Sequence, residues 1–332
     1  VKVYATAPTR VDLAGGTVDI WPLYLFHQGA QTLNIAIDLA ATCQAQLRSD
    51  NLVRLESRDT GEVIEGHLTD LQQQPALELL VRLTAFFYPE GGVEMVTACA
   101  APPGSGLGGS SALNIAVCGA LNALSDHNYS REELITIAKN IETQVIRVPA
   151  GVQDYYPAMY GGTSAIDLAI AGVRRAALMF DLQLFNEYFL LCNTGKPHFS
   201  GTNNWEITKA HIDGDRRVYQ LFDRICAITS SMATALRAQN ISRVAELLQE
   251  EWQVRQELAP GVSTPQIDQL IKVAQSAGAL AAKICGAGGG GCLLVLAPAE
   301  VKSAVAAALT QAGGQVIPCF ATPQGLQVKV RA

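Results

Sequence analysis

Residues 102–112, Pro-Pro-Gly-Ser-Gly-Leu-Gly-Gly-Ser-Ser-Ala, have the composition of an anion cradle. Glycine lets the backbone turn its N–H groups toward a ligand with no side chain in the way. A helix starting directly afterwards adds unpartnered N–H groups and the positive end of its dipole. Ser110 and Ser111 place hydroxyls at that helix mouth, within reach of a phosphate oxygen or a bound Mg²⁺. A turn closed by a serine cap accounts for part of the run. Four glycines and three serines in residues 104–111 exceed what a turn and a cap require. No Lys follows the last glycine, so this is not a Walker loop. Gly104, Gly106 and Gly109 match G-x-G-x-x-G, but about a hundred residues precede them, whereas a dinucleotide loop follows the first strand of its fold. The chemistry that fits is the holding of nucleotide phosphates by Pro103-Gly104-Ser105-Gly106-Leu107-Gly108-Gly109-Ser110-Ser111.

A second tract, Gly286-Ala287-Gly288-Gly289-Gly290-Gly291, lies between apolar, strand-like runs at 281–285 and 292–296. Linkers are usually flanked by polar residues. Six residues with nothing larger than Ala between apolar runs instead imply backbone packed tightly against a neighbour. Were that neighbour the first tract, the two would wall one pocket.

Periodicity gives the elements that must position these tracts. Residues 1–5, 32–46, 53–56, 160–168, 176–180, 188–192 and 326–330 read as strands, and 93–101 leads into the first tract. Helical spacing marks 76–87 and 112–124. Ser130 and Glu133 form a capping box that opens a helix to about residue 147, where Pro149-Ala150-Gly151 breaks it. From residue 216 the texture changes to long amphipathic helices at 216–239, 242–258 and 264–277, with another at 299–311. An α+β protein of two units, 1–180 and 181–332, is expected.

The chain has 332 residues, 49% of them hydrophobic and 16% charged, which suits one large or two ordinary domains with little disorder. A net charge of −6 argues against nucleic acid as the main partner. No apolar run reaches membrane-spanning length and no signal-peptide pattern opens the sequence, so a cytoplasmic monomer or homodimer is expected. Eight cysteines without a C-x-x-C pair, mostly inside apolar runs, read as reduced core residues rather than disulfides or a zinc site.

Three ordered segments together resemble one family: Pro8-Thr9-Arg10 through Asp19, residues 102–112, and Lys283-Ile284-Cys285 followed by the second glycine tract and Cys292. Their order and spacing are similar to those of the GHMP kinases, over nearly the whole chain. The resemblance implies an N-terminal domain like ribosomal protein S5 domain 2 and a ferredoxin-like C-terminal domain, with ATP in the cleft and its phosphates on the second motif. It gives Ser110 and Glu142 a role in holding Mg²⁺; a solvated helix carboxylate paired with Lys139, three residues earlier, is the other reading of Glu142. Asp154 matches the family's catalytic aspartate, which takes or orients the proton of the acceptor hydroxyl. Arg10 takes the place of the first-motif basic residue, able to hold Asp154 ionised and offset charge on the phosphoryl group.

Ala14-Gly15-Gly16-Thr17-Val18-Asp19 departs from galactokinases and resembles the heptose-kinase and fucose-kinase branch, as does Gly151-Val152-Gln153-Asp154. On this resemblance Asp19, with Gly16 and Thr17, faces the acceptor, and Gly288 and Gly289 of the third motif join them. A turn aspartate ahead of Ile20-Trp21-Pro22 is the other reading of Asp19. Lys196 and His198 could bind an anionic group of the acceptor or belong to an ordinary polar loop. The expected activity is ATP- and Mg²⁺-dependent phosphorylation of a hydroxyl, the anomeric one included, on a sugar or sugar phosphate. The alternatives are a mevalonate-type or other non-sugar kinase, a transiently phosphorylating decarboxylase, or a silent sugar- and ATP-binding regulator.

Overall fold

A computed structural model describes residues 1–125, 127–195 and 200–331 of the chain. Its organising elements are two long antiparallel strands, β1 (Lys2–Ala14) and β2 (Gln31–Leu47). β1 alternates exposed and buried residues up to Thr6 and is buried on both faces from Ala7 on, which carries Arg10 and Asp12 inside the molecule. Register shifts between Ala7 and Thr9 and between Asp12 and Ala14 bracket those two side chains. Bulges of this kind re-aim side chains near functional sites.

Around this pair the chain adds β3 (Val53–Ser57), β4 (Glu62–Gly66), β5 (Val93–Cys99), β6 (Thr163–Ala169) and β7 (Gly172–Leu178). β2 pairs with β6 through its first half and β5 through its second, and β3 runs parallel to β5. A second sheet is antiparallel, in the order β11–β8–β10–β9, from β8 (Phe189–Asn193), β9 (Ala281–Ile284), β10 (Cys292–Leu296) and β11 (Gln315–Ile317). The last strand, β12 (Gln327–Arg331), returns to pair with β1 and completes an eight-stranded first sheet. The expected division at 180/181 is therefore crossed by the end of the chain.

The helices of the first half are α1 (Leu68–Leu71), α2 (Glu78–Phe87), α3 (Gly109–Leu124), α4 (Arg131–Ile146) and α5 (Tyr155–Tyr160). α3 lies across β1 and β2, with α2, α4 and α5 against it. Its small residues Ala112, Ala116, Gly119 and Ala120 are buried and let it sit close to the sheet. The second half contributes α6 (Leu182–Tyr188), α7 (Ser200–Ile212), α8 (Arg216–Arg237), α9 (Ile241–Arg255), α10 (Pro265–Ser276) and α11 (Ala299–Gln311). In α8, Val218, Leu221, Phe222, Ile225 and Ile228 recur at helical spacing and are buried. α8 packs on α9, and both reach across to β1. One apolar cluster runs through both sheets, from Val3 to Leu309. No helix among the described residues is long and apolar enough to cross a membrane.

Several boundaries differ from expectation. α3 starts at Gly109, not 112, because Gly108 adopts a left-handed conformation that turns the chain into the helix. The strand expected over 160–168 begins only at Thr163: residues 155–160 are helical, and Gly161 and Gly162, both at positive φ, make the turn. α7 occupies residues that read as a polar continuation of the 194–200 segment. Lys196 and His198 lie outside the described residues.

Candidate active site

The first glycine tract forms the floor of a cleft of about 690 Å³, and all nine residues from Pro103 to Ser111 line it. Gly104, Gly106 and Gly108 have φ of 66°, 73° and 71°, the left-handed region that glycine adopts without steric cost. Gly108 caps α3 without any side-chain hydrogen bond. The first N–H groups of the helix therefore have no intrahelical partner at the cleft. Ser110 is exposed there, whereas Ser111 is buried and its hydroxyl donates to Glu142 Oε2 at 3.1 Å.

The second glycine tract does pack on the first. A Cβ on Gly106 would lie 2.3 Å from the Cys285 carbonyl oxygen, and one on Gly291 would lie 2.6 Å from that of Ser105. The Cys292 amide donates to Ser105 O at 2.8 Å. Gly288 borders the cleft; Gly289, expected at the acceptor, does not. Its amide is tied to the Val262 carbonyl at 2.8 Å, which turns it into the wall.

Arg10 and Asp154, 144 residues apart in sequence, meet at the end of the tract. Arg10 Nε donates to Asp154 Oδ1 at 2.8 Å, and Nη1 donates to the Gly106 carbonyl. The Arg10 amide donates to Leu107 O at 3.0 Å, so β1 and the loop are fastened together. Burial works against the Arg10 charge, but Asp154 and Asp12 outweigh it and raise its pKa. Asp154 begins α5, and the missing side chain of Gly108 leaves room for it: a Cβ there would be 3.1 Å from its carboxyl carbon.

Glu142 is no surface carboxylate. It is 7% exposed and accepts Tyr155 OH at 2.7 Å as well as the Ser111 hydroxyl. Burial raises its pKa above the usual carboxylate range.

Asp19 is also buried, its Oδ2 accepting the Gln153 amide at 2.9 Å. Gly151 permits that approach, since a Cβ there would stand 2.3 Å from the same oxygen. Burial pushes the Asp19 carboxyl up to about 6, with Asp154 adding to the rise and the Gln153 amide opposing it. Thr17 and Asp19 line the cleft, as do Gln153 and Asn204. The Thr17 hydroxyl donates to Asn204 Oδ1 at 3.2 Å, which brings α7 to this end of the site. Gly16, expected beside Thr17 at the acceptor, lies behind the wall instead, against Gln153, Asp12 and Arg255.

Sequence reasoning missed a buried ionic network behind that turn. Lys283 Nζ donates to Asp12 Oδ2 at 2.9 Å and pairs with Glu251 Oε2 at 3.1 Å. Arg255 Nε donates to Glu251 Oε1 at 2.9 Å, and its Nη2 donates to Gly16 O at 3.0 Å. Asp12 Oδ1 accepts the Gly286 amide at 2.8 Å. Burial disfavours the Asp12 carboxylate, but Lys283, Arg10 and Arg255 more than compensate and lower its pKa. Glu251 is lowered by Arg255 and Lys283 against the same burial. The signal available in sequence was two charges on the apolar face of α9, where Leu247, Leu248, Glu251, Val254 and Arg255 share one side.

Comparison with known proteins matches residues 74–162 to the GHMP kinases N terminal domain and residues 232–315 to the GHMP kinases C terminal domain. The two spans together cover just over half of the chain. A mevalonate kinase of Thermococcus onnurineus is 26% identical, with 99% of each chain covered. A D-glycero-alpha-D-manno-heptose 7-phosphate kinase of Campylobacter jejuni is 25% identical over 96% of each. Among solved structures, a D-glycero-D-manno-heptose 1-phosphate kinase from Bacteroides thetaiotaomicron superposes with a TM-score of 0.80 at 22% identity, covering 99% of this chain and 100% of that one. With two glycine tracts locked together under an Arg–Asp pair and both family domains matched, the chain belongs to the GHMP kinases and is a small-molecule kinase with ATP as a substrate.

Proposed function

We propose that this kinase transfers the γ-phosphoryl group of ATP directly to a hydroxyl of a sugar or sugar phosphate. The observation that carries the acceptor class is the polar end of the cleft. There Asp19, Gln153, Thr17 and Asn204 converge, and Gln153 Oε1 is buried without a hydrogen-bond partner. Arg10 is the one basic side chain among the described lining residues, and it is engaged by Asp154 and Gly106. Such a lining suits vicinal hydroxyls, which can donate to a carboxylate and exchange hydrogen bonds with amides. A small carboxylate-bearing acceptor such as mevalonate would bring its charge against Asp19 with no free cation among these residues, whereas a sugar phosphate can present hydroxyls to Asp19 and keep its phosphate away from this end of the cleft. The sugar-kinase relatives support the same reading.

In this proposal residues 103–111 hold the phosphates through backbone N–H groups and the mouth of α3. Asp154 receives the acceptor hydroxyl, orienting it and taking its proton as the phosphoryl group arrives. Arg10 holds Asp154 in place through the hydrogen bond from its Nε, and offsets charge on the transferring group. Thr17 and Asp19 align the acceptor. Rate enhancement comes from positioning and charge neutralisation, with no covalent intermediate.

Ser110 and Glu142 supply hard oxygen donors of the kind that suit Mg²⁺. Glu142 has no Lys, Arg or His partner among the described residues, so its buried carboxylate would gain a counter-charge from the ion. Bound there, Mg²⁺ would neutralise phosphate charge. The first glycine tract, Glu142 and Asp154 all fall within residues 1–180, which supports that span, joined by the returning β12, as the nucleotide-binding unit and the remainder of 181–332 as the second.

The test is ADP release with Mg·ATP across free sugars, sugar 1-, 6- and 7-phosphates, and mevalonate, with carbon dioxide followed alongside. Turnover on a sugar or sugar phosphate is expected. Preferred turnover of mevalonate, carbon dioxide release, or ATP binding with no turnover across the panel would each overturn it.

A further inference from the structure

Thr17 is a β-branched residue at φ 70°, buried, in the turn that leads to Asp19. Such residues avoid this conformation, and it persists only where the surroundings fix it. Two side chains from the second half of the molecule do so. Arg255 donates to the Gly16 carbonyl at 3.0 Å and approaches Thr17 Oγ1 at 3.4 Å, and Asn204 accepts the Thr17 hydroxyl. Arg255 is 1% exposed, and its other hydrogen bonds go to Glu251, one helical turn earlier on α9. The four buried charges Asp12, Lys283, Glu251 and Arg255 sum to zero. A buried ionic group of this kind adds little stability over apolar packing, whereas here it fixes the Gly16 carbonyl and the Gly286 amide in place.

We propose that Arg255, held in line by Glu251, is a positioning residue for the acceptor. Its planar guanidinium grips the Gly16–Thr17 peptide and so sets Thr17 and Asp19 toward the substrate. The same network ends at the Gly286 amide through Asp12, so α9 ties the acceptor turn and the second glycine tract to one rigid support. This rests on the assignment of the Thr17–Asp19 end of the cleft to the acceptor.

Arg255→Met alone leaves Glu251 short of a partner and risks unfolding. The informative variant is therefore Glu251→Gln/Arg255→Met, which removes one charge of each sign. Arg255→Lys is the conservative control, since a point charge can bond Glu251 and one backbone oxygen but cannot fork between Gly16 and Thr17. In the folded double variant the acceptor KM should rise at least tenfold while the KM for ATP stays within twofold. Amide hydrogen exchange should quicken at least tenfold at residues 15–20 and stay unchanged at 104–111. Arg255→Lys should fall between the wild type and the double variant in both readouts, because it keeps a bond to Glu251 and one backbone oxygen but loses the fork between Gly16 and Thr17. Unchanged acceptor KM and unchanged exchange at 15–20 would overturn the proposal, as would equal loss for both substrates with exchange raised throughout. The exchange arm needs no acceptor. If exchange at 15–20 quickens while the acceptor KM holds, the clamp stands and the assignment of the acceptor end is what fails.

Discussion

Arg10 joins three parts of the site: strand β1 that carries it, the first glycine tract through Leu107 and Gly106, and Asp154. Arg10 was legible because it lies in the first of the three ordered segments, whereas Asp154 and Glu142 came only from the resemblance to the family. Gln153 and Asn204 were not legible, since an amide has no pattern in sequence and Asn204 reaches Thr17 from 187 residues away. Lys283 and Asp12 are 271 residues apart, so their pairing exists only once both sheets have formed. At this scale Asp19 gives a sharp expectation. Its carboxyl titrates near 6 because burial disfavours the charge, and only the ionised form offers both oxygens as acceptors to vicinal hydroxyls. Acceptor kcat/KM should therefore fall about tenfold per pH unit below 6, with little change in the nucleotide KM. Asp19→Asn should lower acceptor kcat/KM and abolish this acid limb; a limb that survives the substitution assigns it to another group. The linkage to stability runs the other way. A carboxyl raised in the folded state stabilises below its unfolded pKa and loses that contribution as pH rises through about 6.

Between the elements, the glycine tracts act as interlocked backbones. Gly106→Ala would press its Cβ to 2.3 Å from the Cys285 carbonyl oxygen while holding a φ of 73°. A cost on the order of 3 kcal/mol is expected from strain and displacement together. Thermal unfolding should shift accordingly, and the KM for ATP should rise more than tenfold. A variant with normal stability and normal ATP binding contradicts the interlock. That the second tract packs tightly against a neighbour followed from the apolar strands flanking it; that the neighbour is the first tract is what the structure adds. α7 did not, since its first residues Ser200-Gly201-Thr202-Asn203-Asn204 carry weak helix formers and its amphipathicity is slight. What holds α7 is tertiary: His211 Nε2 lies 2.9 Å from His27 Nε2, and His27 Nδ1 lies 2.8 Å from Asp223, beneath Phe26, Tyr219 and Phe222. Burial, with His27 adjoining, lowers the His211 pKa, and Asp223 only partly opposes this. A His depressed in the folded state contributes stability above its unfolded pKa, about 6.5, and loses it as pH falls. The unfolding temperature should drop between pH 7 and pH 5 by more in the wild type than in His211→Gln; parallel curves would remove His211 from that role.

The whole molecule is organised so that neither half completes the site alone. β12 closes the first sheet, and the segment before it threads close to Met159 and Gly161, where Gly325 has no room for a side chain. The α+β class and the sequence of motifs could be read in advance, because both follow from local periodicity and turn chemistry. The return of the chain's end to β1 could not, since a five-residue exposed strand carries no record of its partner. α9 and α7 come from the second half yet fix the turn at Gly16 and Thr17 in the first. The central claim is that the Arg10–Asp154 pair, poised over the glycine loop, performs phosphoryl transfer. It is tested most directly by measuring transfer of the γ-phosphoryl to the preferred acceptor in wild type and Asp154→Asn, with ATP affinity measured on both. Loss of transfer by about 10²–10⁴-fold with ATP affinity within twofold is the expected result. Transfer at the wild-type rate in the folded variant would contradict the claim.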